Sequence, residues 1–339
     1  MEKTRLGKTN LEVSRTGFGA IPIQRITDEE STAILRKAFE AGVTYYDTAR
    51  GYTTSESKIG KALGDVREKV IIATKTHAKT GEEFDKSLAV SLAELGSDYI
   101  DIFQFHNPPF LPRPDEENGL YDAALRAKAE GKIRHIGVTS HRLPLAREMV
   151  ESGLFDTMQF PMSPLATPEE IELVELCKKH DVGYVAMKGL AGGLITNAKT
   201  SFAFLRRFQN VVPIWGIQFM WQLDEFLSYE KNPPAFDDEI KAIIAKDKAE
   251  LSGNFCRACG YCLPCPSKIN IPTSARMRLL LGRTEWNKLI IAEMQAEMAR
   301  IDNCLNCRHC ADRCPYNIDT PQLLKENLDY YKHFVAKNA

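Results

Sequence analysis

The sequence predicts an α/β fold, a (β/α)8 TIM barrel followed by a smaller, mostly helical domain that is rich in cysteine. Two observations support this prediction. Over roughly the first 250 residues, short β-branched runs alternate with amphipathic helical stretches, as repeated βα units do on a parallel sheet. Eight of the nine cysteines then lie in two runs near the end of the chain. A doubly wound sheet is the alternative, but no GxGxxG turn follows the first predicted strand to support it.

Each barrel strand is predicted from a run rich in β-branched and aromatic residues. The predicted strands are Thr16–Ile23, Val43–Tyr46, Val70–Thr74, Tyr99–Phe105, Ile133–Val138, Thr157–Phe160, Gly183–Met187 and Val211–Trp215. Leu88, Leu92 and Leu95 recur at helical spacing and predict one of the helices between the strands. Residues 8–13, before the first strand, predict a short hairpin that closes the barrel floor.

The charge balance gives no sign of a highly charged partner. The 44 basic and 45 acidic side chains nearly cancel, so neither nucleic acid nor anionic lipid is an expected partner. No apolar run approaches the ~20 residues that a membrane span requires, and the first residues lack the apolar core of a secretory signal. We therefore expect a cytoplasmic protein that does not bind a membrane.

The second cysteine run has the C-x2-C-x2-C-x3-C-P spacing of bacterial 4Fe–4S ferredoxins. Three thiolates spaced in this way bind three corners of one cubane, and the displaced fourth cysteine usually binds the other cluster. The first run departs from the pattern, with two residues instead of three before its last cysteine. We predict a ferredoxin-like domain with two 4Fe–4S clusters. The predicted ligands are Cys256, Cys259, Cys262 and Cys314 for the first cluster, and Cys304, Cys307, Cys310 and Cys265 for the second.

Zinc and disulfides explain these cysteines less well. Structural zinc normally takes four ligands per ion and has no use for a third cysteine in each run. Disulfides need an oxidising compartment, for which the sequence gives no sign. Cys177 lies apart from both runs, in a stretch with helical spacing, and is expected to be a core residue.

Pro233 and Pro234 mark the predicted boundary between a barrel domain, residues 1–234, and the cysteine-rich domain, residues 235–339. A helix is predicted near Asp237–Lys248. Apolar residues at helical spacing between the cysteine runs predict a helical core, formed by Met277, Leu280, Leu281, Leu289, Ile290, Met294 and Met298. A further apolar shell around the clusters is expected from Leu263, Ile269, Ile271 and Ile318.

In a (β/α)8 barrel the chemistry lies at the C-terminal ends of the strands. Strand two ends at Asp47, and Tyr52 follows in its loop. Strands three and four end at Lys75 and His106. Each residue alone has an ordinary structural explanation, although a lysine inside a barrel mouth needs a charge partner.

Together these four residues suit proton donation to a carbonyl group. We expect Asp47 to hold Lys75 in place and Lys75 to lower the pKa of Tyr52. His106 is expected to form a hydrogen bond with the carbonyl oxygen and so orient it for attack by hydride.

The segment GVTYYDTARGYTTSESKIG, residues 42–60, resembles the signature of the aldo-keto reductases. Residues 72–75, 98–106 and 131–138 resemble the same family, in the family's order, and the similarity covers about residues 3–228. This resemblance implies that Asp47, Tyr52, Lys75 and His106 form a catalytic tetrad with Tyr52 as the general acid. With its two cysteine runs, the chain resembles the iron–sulfur aldo-keto reductases of anaerobic microbes.

The resemblance also implies a site for NADP(H) or NAD(H) across the barrel mouth. Thr139 and Ser140 stand where the family has Ser-Asn to hold the nicotinamide carboxamide, and Gln159 matches its other carboxamide partner. Met187 stands where the family has a stacking Tyr.

The segments for the pyrophosphate and the adenosine match less closely. The loop with Lys188, Gly189, Leu190 and Gly192 either presents N–H groups to a pyrophosphate or is simply a tight βα turn. Gly216 begins the turn where the family offers a basic residue for the 2′-phosphate. Glu225 matches the adenine-site Glu, but its neighbour is Phe226 instead of Asn.

The expected function is the reduction of a small aldehyde or ketone, or oxidation of the alcohol, with hydride from NAD(P)H and two clusters for electron transfer. One alternative is a nicotinamide-independent reductase, in which ferredoxin or another electron carrier feeds the clusters. The other is a non-enzymatic redox sensor. The complete tetrad argues against the sensor, which has no need of Tyr52 beside Lys75.

Overall fold

The computed structural model describes residues 1–251 and 255–338. The chain divides into two compact units. The first consists of Met1–Gly189 with Lys199–Lys241, and the second of Leu190–Ala198 with the chain from Ala242 onwards. The short segment Leu190–Ala198, which follows a barrel strand, thus packs with the second unit. The boundary at Pro233-Pro234 stays a prediction.

The first unit is built on a closed barrel of eight parallel strands, in which each strand pairs with its neighbours in sequence and the last pairs with the first. The barrel strands are β3 (Gly17–Gly19), β4 (Tyr45–Asp47), β5 (Ile71–Thr76), β6 (Ile100–His106), β7 (Ile133–Thr139), β8 (Thr157–Pro161), β9 (Gly183–Met187) and β10 (Val211–Gly216). Before them, β1 (Lys3–Arg5) and β2 (Glu12–Ser14) form the predicted antiparallel hairpin. The (β/α)8 prediction is confirmed.

One helix follows each barrel strand, as the fold requires. These helices are α1 (Asp28–Glu40), α2 (Ser55–Leu63), α3 (Gly81–Leu95), α4 (Leu120–Ala129), α5 (Leu143–Glu151), α6 (Pro168–Lys179), α7 (Ala198–Arg206) and α8 (Met220–Lys231). Leu88 and Leu95 bury the inner face of α3, as their spacing predicts. Cys177 lies on α6 and is completely buried, which confirms it as a core residue.

The first predicted strand is too long. Strand β3 ends at Gly19, and Ile21–Arg25 form a 3-10 helix with Pro22 near its start. Proline has no N–H group to donate to a neighbouring strand, so the chain leaves the sheet before it. The predicted strand Gly183–Met187 matches β9, and the other six predicted strands differ from the observed ones by one or two residues at one or both ends.

The barrel interior is layered because successive strand residues point to opposite faces of the sheet. The hairpin closes one end with apolar side chains, and the apolar cluster there consists of Leu6, Val13, Tyr45, Ala73, Ile102, Val185, Met187, Val212 and Ile214. Two residues further along their strands come Asp47, Lys75 and Gln104, all buried. The same alternation that builds the apolar layer therefore places polar groups next to it.

The second unit is helical. Its chain forms α9 (Asp238–Glu250, which begins in the first unit), α10 (Ile271–Ser274), α11 (Met277–Arg283), α12 (Ala292–Ala299), α13 (His309–Asp312) and α14 (Thr320–Asn338). The predicted helical core is present, with Met277, Leu281 and Met298 buried. Helix α14 was not predicted, although Leu324, Leu328 and Tyr331 bury its inner face at helical spacing.

One residue of the expected apolar shell is misplaced. Ile269, Ile271 and Ile318 are buried, but Leu263 is 40% exposed. Leu263 is therefore a surface residue. In the part of the chain that the structure describes, no helix combines the length and the apolar composition needed to cross a membrane.

Gly137 on β7 allows the barrel wall to close. A Cβ atom on Gly137 would lie 2.4 Å from Oγ1 of Thr157 and 2.8 Å from Cγ of Gln104. Gly137→Ala should therefore lower the free energy of unfolding by about 1–3 kcal/mol, the usual cost of overpacking a core. Denaturant unfolding followed by circular dichroism measures this. Gly64→Ala is the control, since nothing lies within 4 Å of its added Cβ, and equal losses in both variants would contradict the packing argument.

Candidate functional site

Asp47 and Lys75 form a buried ion pair between the paired strands β4 and β5. The Nζ atom of Lys75 donates to Oδ1 of Asp47 at 2.7 Å and to the carbonyl oxygen of Thr48 at 2.6 Å. Asp47 is 2% exposed and Lys75 is 1% exposed. The expected partnership of these two residues is present, and each charge has the partner that its burial demands.

Burial raises the pKa of the Asp47 carboxyl group and lowers the pKa of the Lys75 amine, while the opposite charge of the partner resists each shift. Two amides add to the setting of the carboxylate. Gln104 Nε2 donates to Oδ2 of Asp47 at 3.3 Å, and Gln159 Nε2 donates to Oδ1 at 3.5 Å. The carboxylate thus accepts hydrogen bonds from side chains on three other strands, β5, β6 and β8.

Tyr52 and His106 lie beside this pair. The Lys75 Nζ atom is 5.4 Å from the centre of the Tyr52 ring. The rings of Tyr52 and His106 meet edge to face, with their centres 6.0 Å apart. The structure therefore brings together all four residues that the strand ends predict.

The expected lowering of the pKa of Tyr52 is wrong for this structure. Burial, reinforced by the negative charge of Asp47, raises the pKa of the Tyr52 phenol above its ordinary value. The Lys75 ammonium group donates its hydrogen bonds to Asp47 and Thr48. The desolvation of Tyr52 therefore has a larger effect on the pKa of the phenol than the charge of Lys75 does. Tyr52 thus stays protonated at neutral pH.

His106 is a neutral imidazole in this setting. Burial lowers its pKa well below the ordinary value, and the neighbouring His77 and Lys75 lower it further. His77 stacks on His106 with ring centres 4.0 Å apart and an angle of 14° between the rings. A neutral histidine offers one N–H donor, which suits hydrogen bonding to a carbonyl oxygen.

Sequence reasoning missed two members of this site, Gln104 and His77. Besides Asp47, Gln104 contacts the Oε1 atom of Gln159 at 3.2 Å, and so joins a predicted catalytic residue to a predicted nucleotide-binding one. The signal was the period of two along a strand, since Gln104 precedes His106 by two residues and His77 follows Lys75 by two.

The residues expected at the nicotinamide carboxamide are buried and already hydrogen-bonded. Thr139 Oγ1 accepts from the backbone N–H of Asn107 at 2.9 Å. Ser140 Oγ accepts from the N–H of Arg142 at 3.1 Å, in a local turn. Thr139 and Gln159 face each other on the paired strands β7 and β8, and Ser140 follows β7; each of the three side chains already has a hydrogen-bond partner within the protein.

The residues expected further along the nucleotide serve mainly in packing. Met187 is 9% exposed and belongs to the apolar cluster of the barrel interior. Gly189 lies so close to Trp215 that a Cβ atom there would be 2.6 Å from the indole ring. Lys188 has a positive φ of 59°, as a tight turn requires.

In the turn after β10, two backbone N–H groups are hydrogen-bonded to a side chain that follows the turn. The N–H groups of Gln218 and Phe219 donate to Oε1 of Gln222 at 2.8 and 3.0 Å. Gly216 is exposed, and a carboxylate oxygen of Glu225 accepts the hydroxyl hydrogen of Tyr229 at 2.7 Å. These two N–H groups are therefore not available to a phosphate at this turn, and residues 216–219 include no basic side chain that could bind one.

Leu190 and Gly192 belong to the second unit, unlike the other residues expected to bind nucleotide. Ala191–Gly193 form a 3-10 helix, in which the N–H groups of Gly193 and Ile195 donate to the carbonyl oxygen of Leu190. These two N–H groups are therefore used in hydrogen bonds within the loop itself.

The eight cysteines of the two runs lie in the second unit, where their electrostatic neighbours fall into two groups. In addition to burial, Cys259 and Cys314 raise the pKa of the Cys256 thiol, and Cys256, Cys259 and, more weakly, Cys310 raise the pKa of the Cys262 thiol. In the same way, Cys304 and Cys265 add to the effect of burial and raise the pKa of the Cys310 thiol. A hollow is lined by Cys262, Cys265, Cys304, Cys307 and Cys310, among other residues.

Burial raises the pKa of the Cys262 thiol to about 12 and also raises the pKa values of Cys256 and Cys310. Thiols in such surroundings ionise only beside a cation, which iron would supply. Among residues 1–251 and 255–338, no three His, Cys, Asp or Glu side chains converge closely enough to hold a single metal ion. The soft sulfur donors and their grouping fit iron–sulfur clusters.

Residues 15–243 match the model of the aldo/keto reductase family. The chain belongs to this family. It is an oxidoreductase of the aldo-keto reductase type, and residues 255–319 match a 4Fe–4S dicluster domain. The resemblance seen in the sequence is therefore confirmed for both parts of the chain.

Characterised relatives share about a third of the matched residues. The L-galactose dehydrogenase of Arabidopsis thaliana is 31% identical, covering 58% of this chain and 67% of its own. The NADH-specific methylglyoxal reductase of Escherichia coli is 30% identical, covering 59% of this chain and 71% of its own.

Solved structures of the family share the barrel fold. The holo form of an aldo-keto reductase from Bacillus halodurans aligns with a TM-score of 0.63 and 22% identity, over 73% of this chain and 96% of its own. An aldo-keto reductase from Klebsiella pneumoniae in complex with NADPH aligns with a TM-score of 0.62 and 21% identity, over 72% and 94%.

Removing one charge from the buried pair should be costly. Asp47→Asn leaves the Lys75 ammonium group without a counter-charge, so we expect the free energy of unfolding to fall by about 3–5 kcal/mol. Denaturant unfolding measures the loss. Asp85→Asn breaks an exposed ion pair with Arg126 and should change the stability little, because solvent screens that pair. Similar small effects of both substitutions would show that the buried pair does not stabilise the barrel.

Proposed function

We propose that this aldo-keto reductase reduces a small aldehyde or ketone, or oxidises the corresponding alcohol, with Tyr52 as the general acid. The observation that supports this proposal most strongly is the buried Asp47–Lys75 pair with Tyr52 and His106 beside it. A buried ammonium group next to a protonated phenol and a neutral imidazole suits a group that develops negative charge on oxygen.

Each residue has a separate part in the reaction. The Tyr52 hydroxyl donates its proton to the carbonyl oxygen as the carbonyl carbon accepts a hydride, which gives the alcohol. The neutral His106 donates a hydrogen bond to the same oxygen and orients it. Asp47 holds Lys75 in place, and the positive charge of Lys75 stabilises the negative charge that forms on the Tyr52 oxygen as the hydroxyl group loses its proton. A bound nicotinamide dinucleotide supplies the hydride.

The raised pKa of Tyr52 favours the reductive direction at neutral pH. Reduction needs the protonated phenol, and a higher pKa keeps that form present as the pH rises. Oxidation of an alcohol needs the phenolate, so its rate is expected to increase toward alkaline pH.

For the nucleotide, we propose that Thr139, Ser140 and Gln159 hold the carboxamide, and that Lys188, Gly189 and Glu225 of the same unit contact the rest. The turn after β10 fits a 2′-phosphate poorly, because it offers no basic side chain and Gln222 occupies two of its N–H groups. The protein should therefore accept NADH at least as well as NADPH. The name of the Escherichia coli relative, an NADH-specific methylglyoxal reductase, supports this choice.

We also propose two 4Fe–4S clusters with crossed ligation. The first cluster would bind Cys256, Cys259, Cys262 and Cys314, and the second Cys304, Cys307, Cys310 and Cys265. The electrostatic grouping of Cys256 with Cys314, and of Cys310 with Cys265, supports the exchange of the last cysteine between the two runs.

A second candidate function is a reductase fed by ferredoxin or another electron carrier. The turn after β10 favours this function, because Gln222 already accepts hydrogen bonds from two of its N–H groups, which weakens the case for a tightly bound dinucleotide. So does the exposure of Cys304, Cys307 and the intervening Leu305, which is 69% exposed and would let a carrier approach the second cluster. Carbonyl reduction would then take two electrons in single steps and two protons.

Tyr52→Phe tests the general acid. The substitution removes the proton donor and keeps the ring, so turnover of a small aldehyde should fall at least a hundredfold while cluster absorbance is unchanged. Tyr46→Phe is the matched control. Its hydroxyl donates to the carbonyl oxygen of Val43, and its loss should leave turnover near the wild-type value. Full turnover in Tyr52→Phe would refute the assignment.

Cys314→Ala tests the crossed ligation. Loss of a ligand from the first cluster should lower the iron content of the anaerobically purified protein and leave the spectrum of the second cluster in place. Cys177→Ala is the control, because Cys177 lies in the barrel core and should not affect iron. An iron content equal to that of the wild type would exclude Cys314 as a ligand.

A further inference from the structure

Arg276, just before α11 in the second unit, is a buried cation without a carboxylate partner. It is 8% exposed, and its guanidinium donates only to backbone carbonyl oxygens, from Nη1 to Gly192 at 2.6 Å and from Nε to Pro272 at 2.8 Å. Across residues 1–251 and 255–338, no Asp or Glu side chain lies within ion-pair distance of it. A buried charge is costly unless an opposite charge compensates it.

Arg283, on the same helix, shows the usual solution to this problem. Its guanidinium also donates to a carbonyl oxygen of the segment after β9, that of Leu194 at 3.1 Å. It pairs in addition with Asp247 at 2.9 Å and with Glu250 at 2.6 Å. The two arginines thus anchor the same segment, but only Arg283 has carboxylates to balance its charge.

The position of Arg276 indicates what balances its charge. Gly192 separates it from the first cysteine run, since a Cβ atom on Gly192 would lie 3.3 Å from Nη1 of Arg276 and 3.6 Å from Cβ of Ala258. Ala258 follows Cys256 by two residues, and its N–H donates to the Cys256 sulfur at 3.4 Å. The guanidinium of Arg276 therefore lies near the proposed ligand Cys256, with the backbone of Gly192 and Ala258 between them.

We propose that Arg276 is the buried counter-charge of the first cluster and raises its reduction potential. This inference rests on the proposed ligation of that cluster by Cys256. A cubane with four thiolate ligands carries a net negative charge, which grows by one unit when the cluster accepts an electron. A nearby fixed cation stabilises the reduced form more than the oxidised form, because the attraction grows with the charge of the cluster.

The test is a potentiometric titration of the full-length, cluster-loaded protein with dithionite, followed by electron paramagnetic resonance. Arg276→Gln should lower the potential of one cluster and leave the other unchanged. Arg276→Lys, which keeps the charge, should retain most of the wild-type potential. Arg278→Gln is the matched control, because Arg278 lies on the same helix with its guanidinium over the exposed Tyr330 ring, and should shift neither potential.

Equal potentials in the wild type and Arg276→Gln, with both clusters present, would overturn the proposed role of Arg276 and leave the proposed ligation intact. If Arg276→Gln instead lacks the first cluster, iron retention in Arg276→Lys supports the counter-charge. Loss of iron in both variants would show that the hydrogen bonds of the side chain matter and its charge does not. Iron and sulfide for only one cluster in the wild type would refute the ligation itself, and with it this proposal.

Discussion

The buried ion pair of Asp47 and Lys75 is the constraint on which the candidate active site depends. Two charges lie inside a barrel whose neighbouring layer is apolar, so each must have the other nearby. Gln104 and Gln159 hold the carboxylate, and Thr48 accepts from the amine. This arrangement fixes a positive charge next to Tyr52.

The second unit faces the same problem of buried charge. Cysteine thiolates and the Arg276 guanidinium are each unfavourable in low-dielectric surroundings, and in the proposed arrangement the guanidinium offsets part of the negative charge of the thiolate-bound cluster. The segment Leu190–Ala198 takes part in this arrangement, since Gly192 and Leu194 give their carbonyl oxygens to Arg276 and Arg283. In both units, therefore, a compensated buried charge lies next to residues with a proposed role in the chemistry.

Alternating strand and helix patterns predicted the barrel and its eight helices. The strand ends predicted the grouping of Asp47, Lys75, Tyr52 and His106, because the C-terminal ends of parallel strands meet at one end of a barrel. The pKa of Tyr52 was mispredicted, since the balance between a nearby ammonium and desolvation depends on burial that the sequence does not give. Hydrogen bonds between distant segments were equally out of reach. Those of Gln222 in the turn after β10 and of Arg276 with Gly192 depend on the folded backbone.

The barrel is proposed to use a nicotinamide dinucleotide although the turn after β10 fits a 2′-phosphate poorly. Anaerobic calorimetric titration of the cluster-loaded protein with NADH, and separately with NADPH, measures whether it does. We expect saturable binding of NADH that is at least as tight as that of NADPH. Absence of binding for both nucleotides would contradict it and favour electron delivery through the clusters. Clearly tighter binding of NADPH would contradict the interpretation of the turn after β10.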